Sequence, residues 1–337
     1  MTLNSLMGSM LPAIETELQH TVGLLDDPGT RLFHEMLTYH MGWSGIGAGP
    51  DATGKRIRPL LALLTCAACD ADWQPALPAA ISIELIHNFS LVHDDIQDGS
   101  DLRRGRLTVW KKWGMPQAIN AGDALFILSH MALNEIDKDF PRQIVQQACN
   151  VVNKACLALS TGQFLDISYE QMADLTSEDY WRMISGKTAA LLSACTQVGA
   201  ILGGANEAAQ ESYRNFGHYL GMAFQVQDDY LGIWGDSALT GKSTESDLVA
   251  GKKSLPVLYG LSKKGQFAKR WTEGHIHAEE ARPLSELLSV EGVKMYTQNT
   301  VDQMTDLALQ SLRAAEPSGE AGEALYELAN MLLIRQA

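Results

Sequence analysis

The chain has 337 residues, 46% of them hydrophobic and 20% charged, with 29 glycines and 11 prolines, so it can bury a large core and is neither disordered throughout nor collagen-like. Lysine and arginine number 26 against 40 acidic residues, a formal charge of −14, which excludes a general nucleic-acid binder that would need basic surface against phosphates. A small phosphorylated substrate remains compatible, because a few cations gathered in one pocket suffice.

No lysine or arginine precedes Arg31, while Glu15 and Glu17 do. The opening residues therefore match neither a secretory signal nor an Arg-rich transit peptide, and a cytoplasmic protein is expected. The five cysteines, Cys66, Cys69, Cys149, Cys156 and Cys195, are odd in number and point to reduced thiols. Cys66 and Cys69 form a C-x-x-C at the apolar run Leu60 to Ala68, with no second pair at zinc spacing, so they are expected as buried helix cysteines.

A glycine-rich loop runs from Gly42 to Gly54 and includes Pro50. The cations Lys55, Arg56 and Arg58 follow, and a helix is expected to start just after them, with Pro59 in its first turn. The next apolar pattern has helical period from near Pro78, through Ile81, Glu84, Leu85, Asn88, Leu91 and Val92, and ends in His93-Asp94-Asp95-Ile96-Gln97-Asp98. Asp94 and Asp98 are four apart, so they share a helix face about 6 Å apart along the axis. A carboxylate cluster at the end of a buried helix needs a counter-charge, and an oxygen-only donor set suits Mg²⁺. Arg103, Arg104 and Arg106 follow around Gly105, and arginine forks bind phosphate in a bidentate manner.

Gly186-Lys187-Thr188 looks like the end of a phosphate-binding loop, but the full Walker pattern is missing, which rejects an ordinary P-loop NTPase. The charge-free stretch from Thr188 to Ala205 carries Thr188, Ser193, Thr196, Gln197 and several glycines. It reads as a buried helix, since a span needs roughly 20 mostly apolar residues, and no stable membrane insertion is expected. A second acidic cluster, Phe224-Gln225-Val226-Gln227-Asp228-Asp229-Tyr230-Leu231, closes another apolar segment. Gly232 and Gly235 are expected to break that helix, with Asp236 beyond them. Further loops are expected from Gly235 to Ser254, with Lys242, Lys252 and Lys253, and from Glu316 to Gly322. Strand alternation is missing and no Pro/Gly/Ser linker divides the chain, so residues 1–337 are expected as one all-α domain, a large helical bundle. Acids at the ends of two hydrophobic helices suggest one central cavity in which Mg²⁺ neutralises them and faces a phosphate.

Six stretches in order resemble the trans-isoprenyl diphosphate synthases, the polyprenyl synthetase family that includes farnesyl and geranylgeranyl diphosphate synthases. They are Gly54-Lys55-Arg56-Ile57-Arg58-Pro59, the Asp94 motif with Arg103-Arg104-Gly105, Gly162-Gln163-Phe164-Leu165-Asp166, Gly186-Lys187-Thr188, Phe224-Gln225 through Asp229, and Gly251-Lys252-Lys253-Ser254-Leu255-Pro256. The resemblance covers about Gly54 to Leu258 and implies the isoprenoid synthase type of bundle. It implies that three Mg²⁺ ions bridge the two acidic motifs and the diphosphate of an allylic substrate, which ionises and is attacked by isopentenyl diphosphate. By that resemblance Asp94, Asp98 and Asp228 are metal ligands, with Asp95 and Asp229 in support. Gly54, Lys55, Arg58, His87 and Arg104 hold isopentenyl diphosphate; His87 lies seven residues before Asp94, on its helix face. Arg103, Lys187, Lys242 and Lys252 hold the allylic diphosphate, with Thr188 and Gln225 near the developing cation. Gln163 and Asp166 either contact the site or make structural hydrogen bonds.

The chain departs from the family pattern at Thr53 before Gly54, at Leu107, and at Gly232, where the second motif usually carries a third Asp. Phe89, five residues before Asp94, with small Ser90 between them, resembles the pattern of short-chain synthases making geranylgeranyl diphosphate; farnesyl diphosphate is the near alternative. A class I terpene cyclase also ionises prenyl diphosphates with Mg²⁺, but it needs no second cationic set such as Lys55, Arg58 and Arg104. A non-catalytic partner subunit would be expected to lack one acidic motif, and both are intact. The family resemblance also implies a homodimer.

Overall fold

The computed structural model describes residues 2–235 and 246–333 and is helical apart from one short hairpin. The chain divides into two units, the first made of residues 1–153, 194–210 and 317–325 and the second of residues 154–193, 211–316 and 326–337.

The first unit begins with α1 (Thr2–Gly23), α2 (Arg31–His40), the single turn α3 (Pro50–Thr53), α4 (Ile57–Ala67) and α5 (Leu77–Gln97). The hairpin of β1 (Leu102–Arg103) and β2 (Arg106–Leu107) follows, then α6 (Val109–Trp113), α7 (Met115–Asn134) and the start of α8 (Arg142–Glu170). α5 packs against α7, α4 and α1. By length and composition the stretch Gln74–Gln97 could cross a membrane, yet most of it is buried. Ala79, Ile81, Ile83, Leu85 and Ile86 are fully covered, as expected of a core helix apolar on most sides. α4 starts at Ile57, two residues earlier than the cation cluster suggests, so Arg58 belongs to its first turn, together with Pro59.

Arg56 has φ 49° and adopts the left-handed conformation just before α4. This directs its guanidinium inward, where Nε meets Glu15 of α1 at 2.6 Å and Nη1 meets Glu84 of α5 at 2.9 Å. Burial opposes the charge, and the Glu84 and Glu15 carboxylates more than offset it, holding the guanidinium above its ordinary pKa. Arg56 thus ties three helices together, and removing either partner of such a buried pair costs about 3–5 kcal/mol.

The charge-free stretch forms the end of a π turn (Ser185–Ala189) and α10 (Ala190–Leu202). Within the first unit, a Cβ on Gly199 would stand 2.3 Å from the Ala62 carbonyl oxygen, so α10 and α4 meet backbone to backbone. Cys66 is buried and unpaired with another cysteine, and burial pushes its thiol up to about 12, an inert state.

The second unit takes in the end of α8, α9 (Ser177–Ile184), the π turn and most of α11 (Glu207–Trp234). Short helices α12 (Ser246–Val249), α13 (Leu255–Ser262) and α14 (Gln266–Thr272) precede α15 (Ala278–Val290), α16 (Val293–Ala314) and α17 (Gly319–Leu333). A reciprocal capping box starts α9: Thr176 N–H donates to Asp179 Oδ2 at 2.9 Å, and Thr176 Oγ1 accepts from Asp179 N–H. One core cluster joins Tyr180, Ile184, Met222, Val226 and Leu255, and a second joins Ile233, Leu248, Val257, Phe267 and Leu288. Gly232 does not break α11, which continues to Trp234.

Candidate active site

In the first unit the end of α5 carries Asp94, Asp95 and Asp98. Asp98 closes the helix, its N–H donating to Asp94 O at 2.8 Å. Asp94 is half-buried and Asp98 is exposed. Asp95 is buried and receives Arg103, whose Nε donates to Oδ1 at 2.9 Å and Oδ2 at 3.0 Å while Nη2 lies 2.8 Å from Oδ1. Burial raises the Asp95 carboxyl, and the Arg103 fork works against that rise.

The hairpin explains how Arg103 arrives there. Its turn residues Arg104 and Gly105 have φ of 51° and 73°, the two left-handed positions of a tight hairpin turn. Arg104 Nη1 donates to Ala52 O at 2.7 Å, and a Cβ on Gly54 would stand 2.6 Å from Arg104 Nη2, so Gly54 makes room for that guanidinium. Arg106 is used otherwise: it donates to the carbonyls of Tyr39, Ser44 and Ile46 and lies 3.9 Å over the Tyr39 ring, fastening the glycine-rich loop.

Arg58, His87 and His40 complete this set. The Arg58 Nε is buried with no hydrogen-bond partner. Burial holds the His87 imidazole well below its ordinary pKa, and Arg58, Arg104, Arg103 and His40 lower it further. His40, at the end of α2, is pushed down to about 3 by burial and by Arg103, Arg104 and Arg56. Both imidazoles are therefore neutral among guanidinium charges, an arrangement suited to an anion. Lys55 is exposed. His40 carries no sequence signal, being a lone histidine outside every motif. Phe89 is half-buried, edge-on to Phe126 of α7 at 5.1 Å and to His93 at 5.7 Å, while Ser90 Oγ donates to His87 O at 2.8 Å.

In the second unit, the motifs at Gly162 and Gly186 are explained by a close approach of backbones. A Cβ on Gly162 would stand 2.1 Å from Lys187 N, and one on Gly186 would stand 2.6 Å from Ala158 O. The π turn is thereby pressed onto α8, and Lys187 pairs with the Asp166 carboxylate. Thr188 Oγ1 donates to Gln225 Oε1 at 2.8 Å, and Gln225 Nε2 donates to Asp229 Oδ1 at 3.0 Å. Asp229 Oδ2 also accepts from the Tyr180 hydroxyl at 2.7 Å and from Leu255 N–H at 3.1 Å. Burial pushes the Asp229 carboxyl up to about 7, against the pull of these donors. Tyr180 is a further residue that no local pattern marks.

Asp228 is half-buried beside Asp229. Lys252 Nζ lies 3.3 Å from Asp247 Oδ1. Lys253 instead closes the end of α8, donating to the carbonyls of Tyr169 at 2.9 Å, Glu170 at 3.1 Å and Met172. Lys242 and Asp236 lie outside the described residues.

The donors at both acidic motifs are carboxylate oxygens, with Asp94 and Asp98 one turn apart, and this chemistry fits a hard divalent cation. Among the described residues no three His, Cys, Asp or Glu side chains are gathered so as to hold a metal by themselves.

A model of the polyprenyl synthetase family matches residues 48–287. A (2E,6E)-farnesyl diphosphate synthase of Mycobacterium tuberculosis is 37% identical over 316 residues, covering 90% of this chain and 86% of the relative. A geranylgeranyl diphosphate synthase of the same organism is 36% identical over 284 residues, covering 82% of this chain and 80% of the relative. A crystal structure of a polyprenyl synthetase from Streptomyces coelicolor A3(2) matches with a TM-score of 0.88 at 34% identity, covering 98% of this chain and 100% of that one.

Proposed function

Because the chain belongs to the polyprenyl synthetase family and is a short-chain prenyl diphosphate synthase, we propose that it extends allylic diphosphates with isopentenyl diphosphate and ends mainly at the C20 product, geranylgeranyl diphosphate. The observation that carries the two-substrate reading is a cation set in each unit: Arg58 and Arg104 with neutral His87 and His40 in one, Lys187 and Lys252 in the other. A cyclase ionises a single diphosphate and has no use for both.

Lys55, Arg58, His87 and Arg104 bind isopentenyl diphosphate, with Gly54 leaving room for Arg104. Arg103, Lys187, Lys242 and Lys252 bind the allylic diphosphate. Asp94, Asp98 and Asp228 hold the divalent ions that the family uses, three of Mg²⁺ in this reading, and these neutralise charge on the leaving diphosphate when bound. Asp95 and Asp229 orient the others, Asp95 through Arg103 and Asp229 through Gln225. The C–O bond of the allylic substrate breaks with its electron pair leaving on diphosphate. The isopentenyl double bond then attacks the allylic cation, and the released diphosphate takes the proton lost. Thr188 and Gln225 hold their oxygens near that cation. Fixed charges and dipoles of this kind act most strongly where water is excluded.

We read the whole chain as one catalytic domain. Four of the five points at which it passes between units fall inside helices α8, α10, α11 and α17 rather than in linkers. A homodimer is supported by α7, where Met115, Ile119, Ile127 and Met131 are exposed at multiples of four residues, and a cytoplasmic setting accords with free cysteines.

Incubation with isopentenyl diphosphate and each of the C5, C10 and C15 allylic diphosphates, followed by chromatography of the dephosphorylated products, tests the reading. A C20 alcohol from all three is expected. A C15 end point would make it a farnesyl diphosphate synthase, and cyclised hydrocarbon without use of isopentenyl diphosphate would make it a cyclase.

A further inference from the structure

Tyr39, near the end of α2, is 7% exposed and meets the glycine-rich loop, β2 and α6, all within the first unit. Its hydroxyl donates to Leu107 O at 2.9 Å. The Arg106 guanidinium carbon lies 3.9 Å and Lys112 Nζ 4.1 Å from its ring centre, and the Trp113 ring meets it edge-on at 5.0 Å. One aromatic ring thus attracts two cations that would otherwise only repel each other. Gly45 has φ 81°, which favours glycine, and a Cβ there would stand 2.7 Å from Tyr39 Cδ2, so the loop backbone lies against the ring.

Arg106 completes the arrangement. Over the ring, it donates to Tyr39 O at 2.7 Å, Ser44 O at 2.6 Å and Ile46 O at 3.1 Å, which fastens the hairpin to the loop. The loop leads through α3 to Gly54 and Lys55, and the hairpin turn carries Arg104, which returns to Ala52 O of α3 at 2.7 Å. Two arms of the isopentenyl set therefore depart from one ring. Arg103, by contrast, is held by the Asp95 fork without Tyr39. The departure from the family pattern at Leu107 leaves the contact intact, because Tyr39 bonds to the backbone there.

We infer that Tyr39 is a positioning residue for isopentenyl diphosphate: its ring is the platform on which the hairpin and the glycine-rich loop assemble, and it sets where Arg104 and Lys55 stand. It acts through those two cations. The inference rests on their proposed role in binding isopentenyl diphosphate.

Steady-state kinetics with both substrates and calorimetric binding of isopentenyl diphosphate without primer test this in Tyr39→Leu, Tyr39→Phe and Arg106→Gln. Tyr39→Leu keeps an apolar side chain but has no aromatic face. It is expected to weaken isopentenyl diphosphate binding and raise its KM by about tenfold or more, since misplacing binding groups by about 1 Å is enough for such a loss. The allylic KM, and kcat at saturating isopentenyl diphosphate, should stay near wild type, the signature of lost substrate binding alone. Tyr39→Phe keeps the ring and should recover most of the affinity. Arg106→Gln removes the cation from the ring and should repeat the Tyr39→Leu signature; it decides if Tyr39→Leu does not fold. Unchanged isopentenyl diphosphate binding in the folded variants, or equal rises in both KM values, overturns the inference. So does a Tyr39→Phe enzyme as impaired as Tyr39→Leu, because the ring would then not be the platform. Wild type that neither binds isopentenyl diphosphate nor extends an allylic primer would overturn the underlying functional reading instead.

Discussion

The Tyr180 hydroxyl donates to Asp229 Oδ2 at 2.7 Å, from α9 to α11, with both side chains buried. Asp229 passes that constraint to Gln225, and Gln225 to Thr188, so four side chains form one hydrogen-bonded line behind Asp228. Such a line costs little when complete and much when broken.

Tyr180→Phe keeps the ring and removes the donor. The variant is expected to lose about 1–3 kcal/mol of stability, because it leaves a buried carboxylate short of one partner. The allylic KM should rise, since Gln225 and Asp228 lose their backing. Thermal melting and steady-state kinetics check both effects. A variant with wild-type melting and wild-type kinetics would show that the line does not support the site.

Asp94→Ala and Asp228→Ala should each nearly abolish turnover while leaving the circular dichroism spectrum and the melting temperature close to wild type. Neither residue is in the fully buried core, so the loss would fall on metal-assisted ionisation rather than on folding. Chelation of wild type should abolish turnover, and added Mg²⁺ should restore it. Full activity in either folded variant would contradict the metal assignment.

The two cation sets predict opposite kinetic signatures. Arg58 has a buried Nε without a partner, so it is poised for an anion, and Arg58→Ala should raise the KM for isopentenyl diphosphate more than that for the primer. Lys187, fixed by the Gly162–Gly186 contact, should show the reverse on change to Ala. Losing a hydrogen bond to a charged group costs about 1.5–3 kcal/mol, or roughly 10- to 150-fold in affinity. Equal effects on both substrates would argue against separate binding sets.

Acid stability should report on His40. Its pKa falls from 6.5 to about 3 in the folded chain, chiefly through burial. Below pH 6.5 the unfolded chain takes up a proton that folded His40 refuses, so stability is lost as pH falls from about 6.5 towards about 3. The loss is about 1.4 kcal/mol per pH unit. Asp229, raised from 3.8 to about 7, has the opposite sign over its own range, so the informative quantity is a difference between proteins. Relative to wild type, His40→Asn should gain about 1 kcal/mol on going from pH 6.5 to 5.5, since the full slope is reached only once the unfolded histidine is mostly protonated. Parallel denaturation curves at the two pH values would exclude a buried neutral His40.

The helix carrying Asp94 was legible because its apolar period and its carboxylate spacing are both local. The same holds for α11 up to Asp229. Gly162 and Gly186 were legible as motif positions, but their reason, a backbone contact between α8 and the π turn, joins residues far apart in the chain. Gly232 was misread as a helix breaker because a single glycine costs a helix only about 1 kcal/mol, and α11, with Ile233 buried in the core, continues through it to Trp234. His40 and Tyr180 left no trace, since neither sits at a characteristic spacing from another reactive residue. The hairpin that presents Arg103 has strands of two residues, too short to show alternation.

Product length should depend on the Phe89–Phe126 pair. Phe89 lies five residues before Asp94, and Ser90, one residue nearer, is small, with its hydroxyl turned back to the His87 carbonyl. In the proposed reading a prenyl chain extends from the Asp94 end towards the start of α5, past the small Ser90 to Phe89. The ring is held in place edge-on by Phe126 at 5.1 Å and His93 at 5.7 Å, so it cannot swing aside freely. If it forms the floor, Phe89→Ala should shift the main product from C20 to longer chains. Phe126→Ala should do so more weakly, by loosening the ring rather than removing it. Chromatography of the dephosphorylated products at equal conversion measures the shift. Unchanged product length in a folded, active Phe89→Ala enzyme would show that Phe89 is only a packing residue between α5 and α7, and the floor would have to be sought elsewhere.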